Sequence, residues 1–100
     1  MVYYSMKTYK LGEISKSNRK NKKYKIQVID KKTGKIEYIH FGSSIHQQYR
    51  DTTPLKLYSH LDHNDKERRA RYRKRHEHTI RKGYISSGYM SWIYLWNFDY

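Results

Sequence analysis

Nine Lys and Arg fall within residues 66–82, KERRARYRKRHEHTIRK, and the most apolar stretch of the chain, YMSWIYLWNFDY, begins seven residues later. A dense cationic segment beside an aromatic anchor is the organising feature. The rings supply burial, while the bases must face water or a counter-charged partner.

Little else in the chain can form a core. Five Leu, two Val and one Ala stand against twelve Tyr and two Trp. The core must therefore use aromatic rings, each burying roughly 150–250 Å² and carrying a polar tip that needs a partner. One hundred residues allow one domain, 1–100, and such a domain buries only about 60–65% of its unfolded surface. The net charge of +13 adds self-repulsion, so a polyanion or acidic surface would both bind the chain and stabilise it. The absence of Cys excludes disulfides and thiolate metal sites and fits a reducing compartment. No apolar run approaches the roughly 20 residues of a membrane span, and the first residues carry no signal-peptide pattern. The expectation is an intracellular protein, not secreted, with no membrane partner.

The patterning predicts an α+β fold: a small antiparallel sheet of two or three strands, a basic helix and a C-terminal aromatic helix. Residues 1–41 read as mainly β, 42–63 as a long crossing and 64–97 as helical. VYYSMKTYKL (2–11) is rich in β-formers and predicts a first strand. In YKIQVID (24–30), Tyr24, Ile26 and Val28 alternate onto one face. KIEYIHF (35–41) follows a loop ending in Gly34, which suits a left-handed position in a hairpin. KSNRKNKKYK (16–25), with six bases and no acid, reads as a solvated loop. The crossing holds the only Pro and predicts one short helical turn near residues 55–61. Asn64 is the expected N-cap of the basic helix, with Glu67 as its capping-box partner and Gly83 as its stop. In the aromatic helix, Tyr89, Trp92, Ile93 and Trp96 share a face, with Tyr94 and Leu95 on the other.

At 100° per residue, Asp65, Arg69, Tyr72, His76, Thr79 and Ile80 share the inward arc of the basic helix. Its polarity predicts a network in which Arg69 or Arg75, with His76, pairs with a buried carboxylate, Asp65 or Asp51. Arg68, Arg71, Arg75 and Lys82 lie on the adjacent arc, with Lys74 at its edge. Lys20, Lys22 and Lys23 form a second bank of bases if their loop folds alongside.

The order His40-Phe41-Gly42, Tyr49-x-Asp51-Thr52, His63-x-Asp65, Tyr72-x-x-Arg75-His76, Ser87-Gly88-Tyr89-Met90-Ser91 and Leu95-Trp96 resembles a family of small basic proteins. That family, which has no assigned activity, comes from large double-stranded DNA viruses, the giant-virus lineages. The resemblance spans roughly residues 23–97; the stretch between Asp51 and His63 is longer than the family pattern, and either His60 or His63 matches its histidine. It implies a viral origin, a location in the virion or the infected cell, and a compact α+β fold. It marks Asp51, Asp65, Arg75 and His76 as matched positions without roles.

Three kinds of chemistry compete. His60-x₂-His63-x₁₂-His76-x-His78 echoes zinc-finger spacing, but structural zinc draws on Cys, and His76 and His78 point roughly 200° apart on a helix. No metal site and no cofactor are expected. A metal-dependent nuclease would need Asp51, Asp62, Asp65 and Glu67 clustered, with His63 or His76 as base. Asp65 and Glu67 have a simpler use as first-turn acids, so no enzyme is expected. The favoured reading is non-specific binding of nucleic acid, DNA ahead of RNA, through phosphate contacts of Lys20, Lys22, Lys23, Arg68, Arg71, Lys74, Arg75 and Lys82. Such a protein would serve genome packaging or sit in the virion. The alternative is a minor capsid or cementing protein whose bases meet acidic surfaces of other virion proteins.

Overall fold

Strand β3 (Lys22–Asp30) is the spine of the molecule; the computed structural model describes residues 2–99. It lies between β2 (Tyr9–Lys16) and β4 (Ile36–Ser43) in an antiparallel meander. A second, two-residue pairing joins β1 (Tyr4–Ser5) to β5 (Tyr84–Ile85) and ties the start of the chain to its last third. Two helices complete the α+β fold: α1 (Lys66–His76) and α2 (Ser87–Tyr94).

The alternation read in the sequence is the alternation observed. Tyr24, Ile26 and Val28 are buried, and Tyr24 and Ile26 sit opposite Phe41 and Ile39 of β4. Gly34 closes the hairpin at φ 74°, donating its N–H to Asp30 O at 2.8 Å. The strand expected over 2–11 is divided instead. Thr8 N donates to Ser5 O, making a turn between β1 and β2, and β2 then runs on to Lys16. The basic run 16–25 is correspondingly not a loop: its two ends are strand, and only the tip of the hairpin turns.

The core is as aromatic as the composition required. Tyr24, Phe41, Tyr49, Tyr89, Trp92, Trp96 and Phe98 are buried together with Ile26, Val28, Ile39, Ile80, Ile85, Met90 and Leu95. Helix α2 begins where the Ser86 hydroxyl accepts from Tyr89 N, and it packs on β4. Leu95, placed by sequence on the face opposite Tyr89, Trp92, Ile93 and Trp96, is 2% exposed. The reason is Gly42 (φ 77°): a Cβ there would lie 2.8 Å from Leu95 Cδ1, so glycine lets β4 approach the end of α2 on the side that helical periodicity leaves open.

Helix α1 starts one residue later than expected. Asp65 is the N-cap, its Oδ1 accepting from Glu67 N at 2.9 Å and Arg68 N at 3.2 Å. Asn64 instead takes a left-handed conformation (φ 53°) and accepts from Arg50 Nε. The helix stops at His76, followed by a 3-10 turn over Glu77–Thr79 rather than α-helix up to Gly83. None of its residues is fully buried.

The long crossing is ordered by two aspartates. Asp62 Oδ1 accepts from Gln48 Nε2 and Asp51 N. Asp51 accepts from Tyr24 Oη, Tyr58 N and both the hydroxyl and N–H of Thr53. The predicted helical turn is present as a 3-10 turn, Ser59–Leu61.

Candidate nucleic-acid interface

Arginines at positions 68, 71 and 75 of α1 recur at helical spacing and line one side of a cleft of about 650 Å³. Ser43, His46, Gln47 and Gln48 line it from the end of β4 and the start of the crossing, with Lys23 and Gly42; α2 adds Ser91, and Leu95 and Trp96 follow. No Asp or Glu is among the lining residues. Arg68 donates to Gln47 Oε1 at 2.7 Å, joining the two sides. Arg71 and Arg75 have no hydrogen bond or ion pair among the described residues, where the single ion pair is Arg73–Glu77. Two exposed guanidinium groups lining a concave surface, neither of them in an ion pair among the described residues, form a site suited to an anion.

Lys23 lies deeper. It is 2% exposed, its stem packs over Gly42, and Nζ donates to His46 O at 2.8 Å. Burial pulls its pKa down to about 8, against the opposing pull of Asp51 and Asp62. The sequence groups Lys20, Lys22 and Lys23 as a second bank if their loop folds alongside, and the pleat divides them. Adjacent strand residues point to opposite faces, so Lys22 lines a different hollow, with Arg19, Tyr38 and His40, while Lys23 enters the cleft. Lys20 is exposed at the hairpin tip, and Lys74 and Lys82 are exposed outside the cleft lining. Of the eight bases proposed from sequence, the structure brings together Lys23, Arg68, Arg71 and Arg75.

The expected network of Asp51, Asp65, Arg69 and His76 does not form as one unit. Arg69 donates to the carbonyls of Trp96 and Asn97, because the end of α2 offers unpaired acceptors nearer than any carboxylate. Asp51 serves the crossing and Tyr24, and Asp65 caps α1. His76 lies 4.4 Å from the Tyr72 ring, and Tyr72 stacks on Trp96 at 4.0 Å and 5°. Burial, then Arg75 and His78, lower the His76 pKa, which favours the neutral ring. Tyr72 is pushed up to about 12 by burial.

The carboxylates weighed for a nuclease are likewise occupied singly. Asp51 and Asp62 accept backbone and side-chain donors within the crossing, and Asp65 accepts the first N–H groups of α1. Among the described residues no three His, Asp or Glu side chains gather as a metal site. His63 Nδ1 accepts from Asp65 N, leaving a neutral ring whose Nε2 is buried without a partner.

Sequence reasoning missed Ser43, His46, Gln47 and Gln48. They face α1 only through the long-range path of the crossing, and no local pattern carries that information. No family model, no curated protein and no solved structure matches this chain.

Proposed function

We propose that this protein binds nucleic acid without sequence preference, through phosphate contacts. The observation that carries the reading is the convergence of Arg68, Arg71 and Arg75, with Lys23 beneath, on a cleft with no Asp or Glu among its described lining residues. Arg in this setting grips phosphate oxygens and reads no bases. The exposed bases Lys20, Lys74 and Lys82 extend the field outside the cleft and raise the association rate. On the family resemblance, the setting is the virion or infected cell of a large double-stranded DNA virus, with DNA ahead of RNA and a role in genome packaging or in the particle.

The test is salt-dependent retention of DNA of arbitrary sequence. The protein should shift it at about 100 mM salt and release it at several-fold more. Absence of binding at low salt ends this reading.

One observation favours a second. Ile45 is 80% exposed beside His46 of the cleft, and Leu55 and Leu57 are exposed on the same crossing. Exposed apolar side chains on the same molecule as surface Arg fit the composition of a protein interface, here with an acidic surface of another virion protein.

A further inference from the structure

The cleft has two features that a stiff duplex cannot use together. Its lining comes from both sides: Arg68, Arg71 and Arg75 stand on α1, and Ser43, His46, Gln47 and Gln48 stand opposite, with Lys23 buried beneath them. Its lining also holds Tyr72, Trp96 and His76, three rings in contact in the order Trp96, Tyr72, His76. Trp96 is buried, and Tyr72 and His76 are both half-buried, with His76 at the end of the series.

From Arg68 to Arg75 the helix rises about 10 Å, at 1.5 Å per residue. That length reaches only a few phosphates of a single backbone. The volume of about 650 Å³ suits a ligand of a few nucleotides at most. Duplex DNA is a rod that bends only over about 150 bp, and its bases are already stacked inside it. It can lay phosphates along the rim of α1, but it can neither enter between the sides nor give a base to His76. An unpaired strand can do both, because its backbone is narrow and each base has a free π-face.

We infer that this cleft seats the backbone of an unpaired strand between α1 and the Ser43–Gln48 segment, with a base stacked on the outer face of His76, so that single-stranded nucleic acid is bound in preference to duplex. The inference rests on the nucleic-acid reading above and makes it specific. Arg71 and Arg75, which make no hydrogen bond or ion pair among the described residues, take the phosphates, and Arg68 is held in place by Gln47.

The experiment compares fluorescein-labelled dT20 with a mixed-sequence 20-base-pair duplex, by anisotropy on the full chain at about 100 mM salt. The dT20 oligonucleotide should bind at least about tenfold more tightly. His76→Ala should remove most of that preference, about a tenfold loss on dT20, while duplex affinity stays within about twofold. Arg71→Gln with Arg75→Gln should weaken dT20 more than duplex. Each variant is first checked for the parent melting curve, and Arg71→Gln alone serves if the double variant or His76→Ala is unstable. Equal or tighter binding of duplex overturns the inference and leaves nucleic-acid binding standing. Binding of neither probe overturns both.

Discussion

Arg69 Nε donates to the carbonyl oxygen of Trp96 at 2.8 Å, fastening the middle of α1 to the end of α2. The same guanidinium reaches Asn97 O and lies 4.2 Å from the Phe98 ring centre. An arginine thus satisfies carbonyls that a helix end leaves open. Arg69→Met removes both bonds, and the expected loss is about 2–3 kcal/mol. In a domain this small that lowers the melting temperature by about 10–20 °C, read by circular dichroism. A shift of only about a degree would show that water replaces the guanidinium freely.

Tyr24 and Asp51 form the corresponding tie between the sheet and the crossing. Burial pushes the Asp51 carboxyl up, but donors from Thr53, Tyr24 and Tyr58 outweigh it and hold the group below the ordinary carboxylate range. Its contribution is therefore complete above about pH 4, where the unfolded group is ionised, and is lost as pH falls through the lower folded value. Asp51→Asn should cost about 2–4 kcal/mol at neutral pH and flatten the acid limb of stability against pH. An Asn variant with the parent's acid limb would assign that limb to other carboxylates.

Lys23 works in the opposite direction at higher pH. A buried amine with a folded pKa near 8 penalises folding while it is charged. The unfolded lysine holds its proton to about pH 10.4, so from this group stability rises between about pH 8 and 10. Urea titrations at pH 7.5 and 9.5 should show a gain of about 2 kcal/mol that Lys23→Met lacks. Identical pH dependence in parent and variant would place the Lys23 amine in water.

Trp96 joins the core to the cleft. It is 9% exposed and lies flat on Tyr72. Trp96→Ala should cost about 3–5 kcal/mol, enough to unfold most of a chain of this size. Chemical denaturation followed by near-ultraviolet circular dichroism reads the loss, and an unchanged midpoint would make the indole a surface group.

Arg68→Gln with Arg71→Gln and Lys74→Gln removes three cations while leaving the buried rings in place. With about six phosphates neutralised, the parent's slope of log affinity against log salt on duplex DNA should be near −5. The triple variant should flatten it by about three units and weaken all sequences alike. An unchanged slope would move the phosphate contacts off α1 and give the lead to the protein-interface reading.

The central hairpin was legible because Tyr24, Ile26 and Val28 repeat every second residue and Gly34 marks the turn. The pairing of β1 with β5 was not, since two residues carry no period. At the start of α1, Asn64 and Asp65 are both good caps, and only the backbone turn at Asn64 decides between them. Lys23 was misplaced because lysine is almost never fully buried and a run of bases has no apolar alternation to reveal a strand. The arginine side of the cleft could be read from helical spacing. The opposite side could not, because it is assembled by hydrogen bonds of Asp51 and Asp62 that join residues far apart in sequence.

Helix α1 is attached rather than embedded: with none of its eleven residues fully buried, it is held chiefly through Arg69 and the Tyr72 ring. Regions with few buried contacts open ahead of the whole molecule. Amide protons of α1 should therefore exchange with solvent sooner than those of β3, and a protease should cut there first. A ligand that bridges α1 to the Ser43–Gln48 segment acts as a clasp on the loosest part of the chain. Its arrival should be recorded as protection against exchange and cleavage at the same residues that hold it.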